Sequence, residues 1–287
     1  QAGALAFKEY VEANSDGKMI VNVYPNSQMG GDREQIEGTQ EGSITAMTSG
    51  SAPQVNFVGS AVIFDLPFAF SSNEDAFKVF QDENFNQVLA KEYEKAGLKL
   101  LGASFLDFRA TTANFPINTP ADLSGMTIRT MENKYHMAMW QEMGANPTPL
   151  AFNELYTALQ QGTIDGHDNS LSTINSANVQ EVQKYITISN HTYEAFTFTA
   201  NTAKFEKLSA ETQALIRQCV EEACKEMNQQ IVADEAGLKD KFINENGCEI
   251  YELTEDDVAK FKAVVQPLID QYKEVYGADA CTAFGVQ

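Results

Sequence analysis

The stretch Gly125-Met-Thr-Ile-Arg-Thr-Met-Glu-Asn-Lys-Tyr-His136 opens a unit that runs to Asn169 and from which the fold can be read. Thr127 to Thr130 reads as a short strand, Asn133 to Met143 as a helix and Asn153 to Gln161 as a second helix. The same alternation extends outward in both directions. Toward the N-terminus, Ala4 to Ala13 is an amphipathic helix, Asn14 to Gly17 a turn, and Met19 to Tyr24 alternates as a strand. Asp32 is placed to cap a helix reaching about Gln40; Ile44 to Thr48 reads as a strand, Glu74 to Gln81 and Phe85 to Ala96 as helices, and Leu98 to Phe105 as a strand. Toward the C-terminus, Tyr185 to Asn190 and Ala195 to Asn201 read as strands. From Ser209, an N-cap residue, helical character continues to about Glu245 with only Gly237 inside it. A strand from Cys248 to Leu253 and a helix opened by Thr254-Glu-Asp-Asp and running to about Tyr276 complete the pattern.

Strands alternating with helices predict an α/β fold with mainly parallel sheets covered on both faces. With 287 residues and 43% hydrophobic content the chain can bury a sizeable core and divide into two lobes, which excludes a disordered protein. No repeat and no Pro/Gly/Ser linker separates those lobes. The expectation is therefore of discontinuous domains joined by several crossing strands and helices, with the long helix from Ser209 shared by both.

The formal charge is −20, from 20 basic and 40 acidic side chains, so the general field repels phosphate backbones and anionic membrane surfaces. Nucleic acid is excluded as a partner on that ground. No run approaches the ~18 apolar residues of a membrane span. The start at Gln1, inside a predicted helix, fits a processed or trimmed chain. Cys219, Cys224, Cys248 and Cys281 all fall in the last quarter, with no CxxC and no histidine at zinc-like spacing, so no metal site is expected. Cys219 and Cys224 stand about 140° apart around a helix and should not bridge, whereas a Cys248 to Cys281 bridge is open in an oxidising compartment.

Enzyme signatures of the GxSxG, GxGxxG, Walker and HExxH kinds are absent, and three histidines, His136, His167 and His191, supply the only imidazoles. The arginines are more telling. Four of the 20 basic residues are arginine: Arg33, Arg109, Arg129 and Arg217. A guanidinium donates two parallel hydrogen bonds to a carboxylate and keeps its charge in a dry pocket, where lysine fits less well. Arg129 lies in a predicted strand between apolar neighbours. Its residue context allows either a structural pairing with an acid such as Asp168 or Glu132, or a ligand-binding role.

The segments Gly125 to Arg129, Gly144-Ala-Asn-Pro-Thr-Pro-Leu-Ala-Phe152, Glu154-Leu-Tyr-Thr-Ala-Leu-Gln-Gln-Gly162 and Ile164-Asp-Gly-His-Asp-Asn169 together resemble the signature of solute-binding proteins of tripartite ATP-independent periplasmic (TRAP) transporters. Tyr24 to Arg33, Asp65-Leu-Pro-Phe68, Glu181 to Tyr185 and Asn190 to Tyr193 extend the likeness over nearly the whole chain. Against the family's usual length, roughly one strand and turn at the N-terminus are missing.

The resemblance implies a two-lobed, Venus-flytrap-like receptor of the periplasmic-binding-protein type. Its lobes are expected at residues 1–106 with 195–234, and at 107–194 with 235–287. It further implies that Arg129 forms a two-pronged salt bridge with a ligand carboxylate, that Arg109 supports the same group, that Asn169 hydrogen-bonds the ligand and that Phe152 packs on its apolar face. Asp32, Ser49 and Gly50 match first-lobe positions that meet the distal end of ligands, with Arg33 and Tyr193 as further contacts. Asp168, His191 and His167 are expected behind them; Asp32 has a rival role as a helix N-cap, and Phe152 as an ordinary core aromatic.

Where relatives carry glutamine-glutamate before the asparagine this chain has His167-Asp168, and a serine, Ser170, replaces the following proline. Those departures leave the ligand open between a uronate or other sugar acid, slightly favoured, and a C4-dicarboxylate. No cofactor is expected. The expected partners are the small carboxylate and the permease subunits of the transporter, and the expected form a periplasmic monomer, not embedded in the membrane. A carboxylate-processing enzyme using His167 or His191 is the reading from another class.

Overall fold

The computed structural model describes residues 2–80 and 82–276. Helix α1 (Ala2–Asn14) leads to an extended segment and then to α2 (Asp32–Glu41), β1 (Ala46–Gly50), α3 (Asn73–Phe80), α4 (Glu83–Lys95) and the long strand β2 (Leu98–Phe108). After a single residue, Arg109, the chain continues as β3 (Ala110–Ala113), followed by β4 (Thr127–Thr130), α5 (Lys134–Glu142), β5 (Asn146–Pro149), α6 (Leu155–Gln160), β6 (Gly166–Asn169) and α7 (Leu171–Ser176). Then come β7 (Tyr185–Ile188), β8 (Tyr193–Asn201), α8 (Thr202–Glu206), α9 (Ala210–Asn244), β9 (Glu249–Glu252) and α10 (Glu255–Tyr276).

Two sheets organise these elements: a three-stranded sheet ordered β1-β8-β2, and a six-stranded sheet ordered β5-β4-β6-β3-β7-β9. The expectation of mainly parallel pairing is corrected here. The smaller sheet is wholly antiparallel, and the larger one mixes parallel pairs at β4-β5, β4-β6 and β7-β9 with antiparallel pairs at β3-β6 and β3-β7. The reason is that two neighbouring segments cross from one sheet into the other in opposite directions. β2 pairs β8 as far as Phe108 with Tyr193, Arg109 N donates to Thr192 O, and beyond them β3 pairs β7. A one-residue bulge between Phe105 and Asp107, with Asp107 at φ 92, turns β2 toward the second sheet.

The strand expected at Met19 to Tyr24 is the second correction. Its residues alternate between half-buried and exposed, but it joins no ladder, because side chains of α1 take the backbone groups of Val21: Glu12 accepts from its N–H and Lys8 donates to its carbonyl. Asp32 is not an N-cap either. It is the first residue of α2, the cap position is Gly31, and no side chain caps that end. Ser209 does cap α9, accepting from Thr212 N, and the 35-residue helix runs unbroken through Gly237.

α9 belongs to both halves. Near its start Val220, Ala223 and Cys224 pack with Ala6 and Phe198 of the smaller sheet's side, and near its end Leu238 and Phe242 pack with Leu155, Ile186 and Cys248 of the larger one. α10 places Phe261, Val265, Leu268, Ile269 and Tyr272 on one stripe, the 3.6-residue period of an amphipathic helix, in a cluster with Leu123, Trp140 and Met143. Cys219, Cys224 and Cys248 are buried free thiols, and a bridge to Cys281 lies outside the described residues.

Gly166 fixes how closely β6 approaches β3. A Cβ there would lie 2.0 Å from the carbonyl oxygen of Thr112, a backbone atom that cannot step aside. Gly166→Ala should therefore cost about 3 kcal/mol or more in urea denaturation, while Gly59→Ala, whose added methyl meets nothing within 4 Å, should change stability by less than about 0.5 kcal/mol. Equal stability of the two variants would contradict this account of the β3-β6 packing.

Candidate functional site

Arg109 occupies the point where the chain leaves one sheet for the other, and its side chain is 1% exposed. All three of its guanidinium-group nitrogens are engaged by the protein. Nε donates to Asp168 Oδ2 at 2.5 Å, Nη1 to Glu194 Oε2 and more weakly to Asn169 Oδ1 at 3.4 Å, and Nη2 to the Asp168 carbonyl. The sheet register delivers these partners: Ala110 pairs Asn169 across β3-β6, and Asp107 pairs Glu194 across β2-β8. His191, in the crossing segment between β7 and β8, shares Asp168 Oδ2 at 3.1 Å and is itself held by Ser189 at 2.7 Å.

Electrostatics follow from that geometry. Burial opposes the charge on Arg109, but Asp168 and Glu194 outweigh it and raise its pKa above the ordinary arginine value. Burial would likewise raise the Asp168 carboxyl, yet Arg109 and His191 hold it well below the usual carboxylate range. Glu194 goes the other way: burial raises it more than Arg109 lowers it.

Arg129, on β4, is also 1% exposed, and its situation is the reverse. Nε donates to the Leu150 carbonyl at 2.9 Å, and the guanidinium carbon sits 5.7 Å from the centre of the Phe152 ring. Among the described residues no aspartate or glutamate pairs with it. Burial, reinforced by the charge of Arg109, lowers its pKa to about 10, with Asp168, Asp32 and Glu194 opposing. It stays charged at neutral pH. Its side chain lines a cavity of about 250 Å³ together with Asp32, Arg33, Glu34, Glu132 and Leu150.

The residues singled out in the sequence thus separate into groups. Arg129, Asp32 and Arg33 line the cavity, and Phe152, 39% exposed, stands beside Arg129. Arg33 is half spent, since Nε donates to Glu37 at 3.0 Å and Nη1 to Glu132 at 3.3 Å. Arg109, Asp168, Asn169 and His191 form one buried cluster, in which Asp168 Oδ1 has no hydrogen-bond partner among the described residues. Neither that cluster nor Phe152 is among the residues lining the cavity, and four further residues do not line it either. Tyr193 is buried edge-on against Phe70 and Phe108, His167 turns to Thr112 Oγ1 at 3.0 Å, Ser49 accepts from Gln54, and Gly50 lies beneath Glu194.

Several members of the site were not picked out from the sequence. Glu194 is the main one, a lone carboxylate in the buried strand Tyr193–Asn201, and that very isolation was the available signal. Asn133 was read only as the start of a helix, and His136 only as one of the three imidazoles on the chain. Asn133 Nδ2 donates to Asp65 Oδ2 at 2.8 Å and to the Ala52 carbonyl at 2.9 Å, and His136 Nε2 meets Asp65 Oδ1 at 3.0 Å, tying α5 to the 3-10 segment before α3.

Two sheets joined by crossing strands, with a cavity walled by a buried cation that forms no ion pair among the described residues, define a two-lobed ligand-capture protein. Comparison with known proteins gives the family. The model for bacterial extracellular solute-binding protein family 7 matches residues 1–275, and the chain belongs to that family, the solute-binding receptors of TRAP transporters. A solute-binding protein of Verminephrobacter eiseniae is 34% identical over 96% of this chain and 81% of its own length. The C4-dicarboxylate-binding periplasmic protein DctP of Rhodobacter capsulatus is 31% identical over 98% of this chain and 84% of its own. The crystal structure of a TRAP periplasmic solute-binding protein from Polaromonas sp. JS666 bound to D-erythronate superposes with a TM-score of 0.94 at 31% identity, covering 99% of this chain and 93% of that one.

Burial lowers the His167 pKa to about 3, so the folded protein holds this imidazole neutral while the unfolded chain protonates it near 6.5. A depressed histidine contributes stability that is full above about pH 6.5 and is lost as pH falls toward the folded value. Between pH 7 and pH 4 the wild type should lose about 3 kcal/mol more than His167→Gln, read from urea midpoints at each pH. Parallel pH profiles for the two proteins would refute the assignment.

Proposed function

We propose that this chain is the extracytoplasmic receptor of a TRAP transporter, capturing a small organic acid by its carboxylate on Arg129 and presenting it to the permease subunits. The observation that carries the reading is the buried guanidinium of Arg129, which has two nitrogens, Nη1 and Nη2, without a hydrogen-bond partner among the described residues. A carboxylate matches that fork with two parallel hydrogen bonds. A ligand lacking one leaves the cation uncompensated, at a cost of about 3–5 kcal/mol, so the carboxylate is obligatory.

Around that bond the other residues take supporting roles. Phe152 shields the ion pair and packs on the ligand's carbon skeleton, and Asp32 meets its distal end. Arg109, each of whose three nitrogens already donates to the protein, stands beside Arg129 as an internally paired group that fixes Asp168 and Asn169 in place. The bound acid is a sugar acid or a C4-dicarboxylate; the relatives that bind D-erythronate and C4-dicarboxylates support both. The protein acts as a periplasmic monomer without catalysis, and the lobe limits are residues 1–106 with 195–234 and 107–194 with 235–287. The change of sheet at Arg109 and between Ile188 and Tyr193 supports those limits.

Arg129→Ala should abolish binding in isothermal titration calorimetry, and Arg129→Lys should keep a small fraction of the affinity, because one charge survives without the fork. Near-native affinity in Arg129→Ala would overturn the reading. In a thermal-shift screen of uronates, aldonates and dicarboxylates, the cognate acid should stabilise the native state by about 2.7 kcal/mol at a hundred times its Kd, and should be recovered chemically unchanged. A modified acid after incubation would point to an enzyme instead.

A further inference from the structure

The charges around the cavity are unevenly matched, and the mismatch bears on what the ligand carries at its far end. Three carboxylates, Asp32, Glu34 and Glu132, line the cavity against two guanidinium groups, Arg33 and Arg129. Arg33 is already paired with Glu37 and Glu132. Arg109, the other buried cation nearby, is paired with both Asp168 and Glu194. Among the described residues, Arg129 is therefore the one cation at the cavity with no carboxylate partner.

Glu194 is what removes Arg109 from play. It rises from β8 across Gly50, where an added Cβ would lie 2.5 Å from its Oε1, so the missing side chain at position 50 makes room for this acid. Without Glu194, Asp168 alone would face two neighbouring arginines, and the cluster would carry one unneutralised charge more. With Glu194 beside Asp168, Arg109 is paired with two acids before any ligand arrives, while Arg129 keeps no carboxylate partner among the described residues. Asp32 then adds an acid on the cavity wall itself, partly buried, with its pKa raised by burial against the pull of Arg129. A second carboxylate entering this space would meet acids and no free cation, whereas hydroxyl groups would find acceptors.

We propose that Glu194 and Asp32 restrict the site to acids with a single carboxylate whose remaining polar groups are hydroxyls, and so exclude dicarboxylates. This rests on the carboxylate-capture reading above and narrows it.

Matched acids that differ only at the terminal carbon test the idea: D-erythronate against meso-tartrate, and D-gluconate against D-glucarate, each titrated calorimetrically into the wild type, Glu194→Gln and Asp32→Asn. The wild type should bind the hydroxy monoacid of at least one pair 30-fold or more tighter than its diacid. Each variant should narrow that ratio at least tenfold, Glu194→Gln by freeing Arg109 and Asp32→Asn by removing an acid from the cavity wall. Asp32 is partly exposed at a helix start, so its variant keeps the test open should Glu194→Gln fail to fold. Diacids bound as tightly as monoacids by the wild type, or ratios unchanged in both variants, would overturn the proposal while leaving carboxylate capture intact. Silence from all four acids would count against carboxylate capture itself, and the inference would fall with it.

Discussion

A guanidinium taken out of water must find negative charge or be destabilising by several kcal/mol, and this molecule contains two such groups with opposite solutions. Arg109 is satisfied internally, gripped by Asp168 and Glu194 at the junction of the two sheets. Among the described residues, Arg129 has only a carbonyl and an aromatic face. The first arrangement makes the second tolerable. Acids held by Arg109 lie close enough to offset part of the charge on Arg129, yet they are committed elsewhere and do not quench it. Folding thus leaves a buried cation without a carboxylate partner among the described residues, which is the physical basis of the carboxylate capture proposed above.

The crossing strands are what bring these groups together. β2 runs into β3 and β7 into β8 side by side in opposite directions, so Arg109 and His191 fall at the same level, between the sheets. From there β6 contributes Asp168 and Asn169, and β4, parallel to it, contributes Arg129. α9 packs against both halves and α10 against the helices of the larger sheet, so the backbone on either side of the junction is held by apolar contacts rather than by the ionic cluster itself. The ionic cluster sets geometry; the helices supply stability.

The surface field and the site also work in opposite senses. A net charge of −20 repels anions at a distance, and three of the cavity's ionisable walls are acids. Under the proposed reading, capture of an anion depends on a local contact with the buried guanidinium of Arg129, whose fork acts at hydrogen-bond range. Such a site discriminates by what it leaves unpaired, so the acids around it matter as much as the arginine does.

Much of this was legible along the chain. Ser209 as a helix start, the strand Thr127 to Thr130, the helix Asn133 to Met143 and the exceptional status of an arginine among apolar neighbours all follow from local rules of periodicity, capping and charge, which need no knowledge of distant residues. The motifs from Gly125 to Asn169 carried the family for the same reason, being contiguous. What lay beyond the sequence was everything decided by pairing across distance. Met19 to Tyr24 has a strand's alternation but no ladder, because Lys8 and Glu12 claim its backbone first. Sheet direction depended on strands that change sheets, and the roles of Arg109 and Glu194 depended on a contact spanning 85 positions. Whether a buried charge is already answered is a property of three-dimensional neighbours, and only the folded chain could separate the arginine paired with two acids from the one that no described acid pairs.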